Sequence, residues 1–147
     1  RRIRWSGEGD DVIRGGHGHD VIVGGFGSDW IWGGQGSNLV WGGEEGYGAD
    51  SSEDKIFVPV DSSVNPFGNP SGSNRDMITY IDDRDKIFMH GVDDSTLSFV
   101  DGVIDPKGEY SNYSAVGIYA NGSLEALVIS ELNAQQVNDI TIGGFFA

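Results

Sequence analysis

The N-terminal part of the chain repeats a nine-residue block four times without interruption. The blocks run from residue 6 to residue 41 and read SGEGDDVIR, GGHGHDVIV, GGFGSDWIW and GGQGSNLVW. Each block has glycine at its second and fourth places, Asp or Asn at its sixth place and a branched aliphatic residue at its eighth place. A short period repeated this regularly predicts a solenoid, in which each block forms one structural unit that stacks on its neighbours.

The residue types explain how such a block folds. Glycine tolerates positive φ and lets neighbouring turns approach closely, which suits the first half of each block. The last three residues of each block are mostly β-branched, aliphatic or aromatic, and they predict a short strand. Because side chains alternate across a strand, the eighth-place residue points to one face and its neighbours point to the other. We therefore expect the interior of the solenoid to be filled by Ile13, Ile22, Ile31 and Val40.

These blocks closely resemble the nonapeptide repeat of the repeats-in-toxin (RTX) group of secreted calcium-binding proteins. The resemblance covers residues 6–41 and implies a parallel β-roll, in which two blocks complete one turn. Stacked loops then pair Asp11 with Asp29 and Asp20 with Asn38. The implied cofactor is Ca²⁺, because carboxylates and loop carbonyls together offer the roughly six to eight oxygen ligands that it takes. The implied metal-site glycines are Gly7, Gly9, Gly16, Gly18, Gly25, Gly27, Gly34 and Gly36.

The two implied pairs differ in charge. Asn38 offers one neutral side-chain oxygen, so we expect the Asp20/Asn38 pair to bind calcium more weakly than the Asp11/Asp29 pair. The alternative to a metal site is an array of Gly- and Asp-rich turns, but stacked carboxylates away from solvent would then repel each other. His17 and His19 are interpreted as exposed loop residues, with a transition-metal site as the alternative.

Composition excludes several classes of function. The chain has 147 residues, a formal net charge of −14 at pH 7 and no cysteine. Nucleic-acid binding needs a basic face, and disulfides or thiolate metal sites need cysteine. No apolar run reaches the length of a membrane span. The motifs of zinc proteases, α/β-hydrolases and P-loop nucleotide-binding proteins do not occur, so the sequence predicts a fragment that is not itself an enzyme.

The nonapeptide period is lost near Gly42, and from Asp54 onward the sequence shows alternating strand patterns and turns. Asn121-Gly122 predicts a type I′ hairpin, and residues 131–138 predict one short helical turn. The whole chain is therefore predicted to be all-β. A parallel β-roll in residues 1–48 is followed by an antiparallel, β-sandwich-like part in residues 49–147, which packs on the roll as one unit. The predicted strands of the second part are 55–60, 77–81, 86–90, 97–100, 116–120, 124–129 and 140–146.

The tetrapeptide DKIF occurs twice, at residues 54–57 and 85–88. It resembles strands that follow the roll in serralysin-type proteases and in alginate-epimerase R-modules. The resemblance implies that residues 49–147 cap the roll and carry a type I secretion signal, whose usual tail is approximated by residues 143–147. It also implies an upstream domain of the same polypeptide, the type I secretion machinery as a partner and a bacterial, extracellular location.

Two groups of acidic residues outside the blocks are interpreted as solvated turn residues. The first group has a further bound ion as its alternative and consists of Glu44, Glu45, Asp50, Glu53 and Asp54. The second group has acid–base chemistry as its alternative and consists of Asp82, Asp83, Asp85, Asp93 and Asp94.

Four tryptophans are expected on the outer faces of the roll. Trp30 and Trp32 flank the inward Ile31, whereas Trp5 and Trp41 hold ninth places on the opposite face. An apolar stripe of this size marks an interface. Either the later strands or an upstream domain cover the rings, or the indoles form a platform on which sugar rings stack.

Two functions therefore compete. The leading one is a calcium-binding C-terminal RTX module of a secreted protein, which serves export, folding and stabilisation. Such an acidic, Gly-rich chain stays expanded where calcium is scarce and folds when calcium binds. The alternative is a calcium-dependent polysaccharide-binding module attached to a secreted enzyme or adhesin.

Overall fold

The computed structural model of the protein describes residues 3–43, 52–60, 76–104 and 114–146. The predicted boundary between residues 48 and 49 lies outside these residues. The described part is almost entirely β-structure, with one short helix, α1 (Ala134–Asp139), and a 3₁₀ turn at Asp94–Thr96. The strands are β1 (Ile3–Trp5), β2 (Val12–Arg14), β3 (Val21–Val23), β4 (Trp30–Trp32), β5 (Leu39–Trp41), β6 (Lys55–Pro59), β7 (Asp76–Thr79), β8 (Lys86–His90), β9 (Leu97–Ile104), β10 (Ser114–Ala120), β11 (Ser123–Ile129) and β12 (Thr141–Gly144).

The repeat blocks form the predicted parallel β-roll. Successive strands alternate between two sheets, so that β1, β3 and β5 are neighbours in one sheet and β2 and β4 are neighbours in the other. All of these neighbours pair in parallel, and each strand stands in register with the strand two blocks later. Two blocks therefore complete one turn, which confirms the parallel β-roll.

Later strands extend both sheets of the roll. The five-stranded sheet has the order β12-β8-β6-β4-β2 and the seven-stranded sheet has the order β1-β3-β5-β7-β11-β10-β9. β6, β7, β8 and β12 all pair in parallel, as β11 does with β7. Among the described strands, antiparallel pairing joins only β9, β10 and β11. The antiparallel sandwich predicted for this part is thus not confirmed, because alternation indicates which face of a strand is buried but not the strand's direction.

In the second part, local sequence signals predicted both the hairpin and the short helix. Asn121 and Gly122, between β10 and β11, have φ of 52° and 83°, the positive values that a type I′ turn requires. The helix α1 begins after Asn133, whose side chain accepts the Gln136 backbone N–H while the Gln136 side chain accepts the Asn133 N–H. This capping box fixes the start of α1, and buried Val137 attaches the helix to the core.

The larger hydrophobic core lies between the two sheets, and a smaller cluster on β7, β10 and β11 consists of Met77, Ala115, Leu124 and Leu127. The predicted interior residues Ile22, Ile31 and Val40 are 0% exposed, and Ile13 is 7% exposed. The same rows continue in the later strands, where Ile56 pairs with Ile31 and with Ile87. The repeats and the later strands therefore share this larger core.

Candidate metal centre

The sixth-place residues of stacked loops form two columns that are linked by hydrogen bonds. In the first column, the Asp11 backbone N–H donates to Asp29 Oδ1 over 2.9 Å. In the second, the Asp20 N–H donates to Asn38 Oδ1 over 2.9 Å. Asp20, Asp29 and Asn38 are at most 2% exposed, whereas Asp11 is half-buried. The structure thus brings together both pairs that the resemblance implied.

Both columns continue beyond the repeats, through residues that sequence reasoning did not place in the site. The Asp29 N–H donates to Asp54 Oδ1 over 2.9 Å, and the Asp54 N–H donates to Asp85 Oδ1 over 2.8 Å. The Asn38 N–H likewise donates to Asp76 Oδ1 over 2.9 Å. The sequence contains a pattern that marks these three aspartates. Each new aspartate stands two residues before an isoleucine, as the sixth-place aspartates of the first three blocks do.

The solvated-turn interpretation is wrong for two residues. Asp54 and Asp85 are 1% and 2% exposed, because strand pairing carries both of them into the first column. The remaining described acids of the two groups are exposed or half-buried: Glu53, Asp82, Asp83, Asp93 and Asp94. Three further acids of the first group lie outside the described residues: Glu44, Glu45 and Asp50.

The second- and fourth-place glycines set the shape of the loops. All eight of them have φ between 82° and 114°, a region that only glycine enters without strain. Their carbonyls also link the stacked loops, since Gly7 O accepts the Phe26 N–H over 2.9 Å and Gly16 O accepts the Gln35 N–H over 3.0 Å. The glycines therefore bring successive loops close enough to share ligands.

The first-place glycines leave space where oxygen atoms converge. A Cβ placed on Gly24 would lie 2.7 Å from both Asp29 Oδ2 and Gly42 O. The same arrangement recurs at Gly15. A Cβ there would meet the sixth-place carboxylate of its own block and a backbone carbonyl of the next stacked loop. Asp11 Oδ2 is buried and has no hydrogen-bond partner among the described residues. The side chains and carbonyls in these loops thus form an oxygen-only donor set, which suits Ca²⁺.

Backbone carbonyls must supply a large share of such a site. The described residues contain no group of three or more His, Cys, Asp or Glu side chains that could hold a metal ion. Hard Ca²⁺ accepts carbonyl ligands readily, whereas zinc and copper sites use imidazole or thiolate. The loop histidines instead link stacked loops. His17 Nδ1 lies 3.1 Å from Gln35 Oε1, and His19 Nδ1 accepts the Ser37 N–H over 2.9 Å.

Residues 5–31 and 18–45 match the RTX calcium-binding nonapeptide repeat, which is found in four copies. The chain therefore contains an RTX calcium-binding domain, and its repeats are a non-catalytic, calcium-binding module. No curated protein matches the chain significantly. None of the helices in the described ranges is long and apolar enough to cross a membrane.

Trp32 lies between two other side chains on the outer face of the five-stranded sheet. Its ring stacks on Phe57 at 3.9 Å with an interplanar angle of 4°. The Arg14 guanidinium lies 5.5 Å from the Trp32 ring. Because β2 and β6 flank β4 on opposite sides, these two neighbours occupy the two faces of the indole. Trp32 is thus half-buried, with Phe57 stacked on its ring and the exposed Arg14 side chain over it.

The stacking continues across the sheet as an aromatic row, which consists of Trp32, Phe57, Phe88 and Phe146. Phe88 stacks on Phe57 at 4.7 Å, and Phe146 meets the Phe88 ring edge-on at 5.0 Å. The Phe146 N–H donates to His90 Nδ1 over 2.8 Å, which attaches residues 145–146 to β8. The row thus joins the repeats to the last described residues of the chain.

Two of the other three tryptophans are exposed, and the third is half-buried. Trp30 is 46% exposed, and the Lys55 ammonium lies 5.3 Å from its ring. Trp5 is 62% exposed on the opposite face, in register with Val23. Trp41, the next residue in that register, is half-buried and meets the Tyr80 ring edge-on at 5.0 Å.

Proposed function

We propose that this chain is a calcium-folded module of a secreted protein, in which bound Ca²⁺ orders the roll and stabilises the protein after export. The proposed side-chain ligands are Asp11, Asp20, Asp29 and Asn38, and carbonyls of the glycine-rich loops complete the sites. The observation that carries the proposal is the stacking of buried carboxylates, with Asp29 at 0% exposure beside a converging carbonyl oxygen. Burial of carboxylate charge costs several kcal/mol unless positive charge is close by, and a divalent cation between stacked loops provides that charge.

The same property suits export. A chain with a net charge of −14 and 24 glycines stays expanded where calcium is scarce, and an expanded chain is the form that a secretion channel passes. Extracellular calcium then folds the module. In this proposal residues 49–147 cap the roll and carry a type I secretion signal. The partners are the type I machinery of a bacterium and an upstream domain of the same polypeptide. The core shared between the repeats and the later strands supports folding as one unit.

Circular dichroism of the chain in EDTA and in millimolar Ca²⁺ tests the proposal. We expect calcium to produce a large gain of β-structure, and Mg²⁺ to substitute poorly because it demands octahedral geometry and dehydrates reluctantly. Asp29→Asn should raise the calcium concentration at half-folding. The matched control, Asp83→Asn, removes the same charge from an exposed side chain and should leave that concentration unchanged. A native spectrum in EDTA that calcium does not alter would contradict the proposal.

A second candidate function is calcium-dependent binding of an acidic polysaccharide. It is favoured by Trp30, which is 46% exposed, and by two lysines in the same row of an otherwise acidic chain. Lys55 pairs with Trp30, and Lys86 pairs with Lys55 on the next strand. An indole edge or face next to ammonium groups suits a sugar that carries carboxylates. Calcium-dependent retention on an immobilised acidic polysaccharide, lost in Trp30→Ala, would support this function. Elution of both proteins without retention would reject it.

A further inference from the structure

The loop at residues 80–85 occupies the place of a nonapeptide turn although its sequence, YIDDRD, lacks glycine. It joins β7 to β8 with six residues, the same number that joins β3 to β4. Its last residue, Asp85, is followed two residues later by Ile87, which is 0% exposed. Because Thr79 pairs with Trp41, Tyr80 stands one turn beyond Gly42. Residues 80–88 are therefore a degenerate repeat block that extends the roll.

The backbone of this loop reproduces the stacking of the true repeats. The Gly42 N–H donates to Thr79 O over 3.1 Å, as the Gly24 N–H donates to Trp41 O over 2.9 Å. Tyr80 has a φ of 54°, in the left-handed region that non-glycine residues seldom adopt. Its carbonyl accepts the Gly43 N–H over 2.8 Å. A carbonyl oxygen has two lone pairs, so Tyr80 O retains acceptor capacity after this bond.

The oxygen atoms around Gly42 match those around Gly24. A Cβ on Gly42 would lie 2.9 Å from Asp54 Oδ2 and 3.1 Å from Tyr80 O. A Cβ on Gly24 would lie 2.7 Å from Asp29 Oδ2 and from Gly42 O. In both cases the other carboxylate oxygen, Oδ1, accepts the backbone N–H of the preceding column residue over 2.9 Å. The turn beyond the repeats therefore presents the same donor set as a turn within them.

From this equivalence we infer that the roll binds a further Ca²⁺ one turn beyond the nonapeptide repeats. Its ligands from the described residues are the carboxylates of Asp29 and Asp54 and the carbonyls of Gly42 and Tyr80. The inference rests on the proposed calcium-binding function and extends it to residues outside the matched repeats.

Among the described residues, the first column ends at Asp85. Asp85 Oδ1 accepts the Asp54 N–H, and Asp85 Oδ2 accepts the Asp82 N–H over 2.8 Å within its own loop. Both carboxylate oxygens of Asp85 therefore accept backbone N–H groups. The additional ion is therefore placed at Asp54, on the turn whose surroundings match those of Gly24.

The number of Ca²⁺ ions bound per chain, measured by isothermal titration calorimetry, tests the inference. Asp54→Asn keeps an Oδ1 acceptor for the Asp29 N–H but removes the charge and replaces Oδ2 with an amide. Asn38 shows that the columns accept this exchange, since its Oδ1 accepts the Asp20 N–H while its Nδ2 donates to Gly34 O over 3.2 Å. We expect Asp54→Asn to bind one ion fewer than the unmodified chain, and the exposed control Asp83→Asn to bind the same number.

Gly42→Ala provides a second variant that retains every carboxylate. Its methyl group fills the space between Asp54 Oδ2 and Tyr80 O, so it should also lose an ion. Circular dichroism at saturating calcium verifies the fold of each variant, and Gly42→Ala decides the matter if Asp54→Asn does not fold. Unchanged stoichiometry in the folded variants would overturn the additional site and leave the proposed function intact. An unmodified chain that binds no calcium would overturn the proposed function itself.

Discussion

At the residue scale, Asn38 shows what one side-chain atom changes within a column of carboxylates. Its Oδ1 accepts the Asp20 N–H and its own N–H donates to Asp76, so the column stays continuous. Its Nδ2 donates to Gly34 O, a carbonyl of its own block. Asparagine therefore preserves the stacking of the loops, but it removes a charge and engages a carbonyl oxygen that an aspartate would leave open.

The first prediction is that Asn38→Asp strengthens calcium binding in the second column. Calcium affinity rises with the number of charged ligands, so the calcium concentration at half-folding should fall roughly tenfold. In EDTA the same variant should be less ordered, because it adds a buried carboxylate next to Asp20 and Asp76. Calcium titrations followed by circular dichroism measure both effects. The matched control is Gln35→Glu, which adds a charge at an exposed position of the same loop; an equal shift in this control would contradict the prediction.

At the element scale, the aromatic row links strands that lie far apart in the sequence. Trp32 on β4, Phe57 on β6 and Phe88 on β8 stack ring on ring, with centroid separations of 3.9 Å and 4.7 Å. Such pairs contribute about 0.5–1.5 kcal/mol beyond the apolar area that they bury. The row therefore attaches the repeats to the later strands from outside the core.

The second prediction separates packing from exposure among the tryptophans. Trp32→Ala should lower the free energy of unfolding by about 2–3 kcal/mol, somewhat less than for a fully buried ring. Trp30→Ala should cost less than about 1 kcal/mol, because nearly half of the side chain is exposed. Urea unfolding at saturating calcium measures both losses. Comparable losses in the two variants would show that Trp32 does not stabilise the fold through its stacked faces.

The third prediction concerns the contact between β8 and residues 145–146. His90→Ala removes the acceptor for the Phe146 N–H, so the exchange of this amide with deuterium should accelerate by about fivefold, the equivalent of one hydrogen bond. His90→Asn retains an acceptor close to the position of Nδ1 and should exchange more nearly at the original rate. Hydrogen–deuterium exchange followed by NMR distinguishes the variants. Equal exchange in all three proteins would indicate that the bond does not hold this segment.

At the scale of the whole molecule, the two sheets and the core extend across the repeats and the later strands. β6 pairs with β4 and β7 pairs with β5, so each sheet passes directly from repeat to non-repeat sequence. Ile56 lies in this junction at 0% exposure. In the proposed calcium-folded module, metal binding and folding are coupled, so damage to the later strands should weaken calcium binding by the repeats.

The fourth prediction tests this coupling. Ile56→Ala should lower the free energy of unfolding by about 2–5 kcal/mol through the loss of buried methyl groups. The calcium concentration at half-folding should rise as the stability falls, although Ile56 is not itself a proposed ligand. Ile142→Ala, at a position that is 43% exposed, is the control and should change both quantities little. A destabilised variant with an unchanged calcium requirement would mean that the repeats fold independently of β6.

The sequence by itself determined the roll and its interior. A strict period places every block in the same local environment, and strand alternation then assigns Ile22, Ile31 and Val40 to the core without knowledge of any distant contact. The turn at Asn121-Gly122 was also predictable from local sequence, since two residues that tolerate positive φ suffice for a type I′ hairpin.

Only the tertiary structure decided how far the columns extend and what surrounds the tryptophans. Loops of unequal length separate Asp54, Asp76 and Asp85 from the repeats, so strand pairing, and not sequence spacing, sets their register with Asp29 and Asn38. Trp32 was expected to face outward, but the choice of β6 as the neighbour of β4 is what places Phe57 against its ring. Both outcomes depend on which strands become neighbours, a free-energy balance over the whole chain that no local pattern encodes.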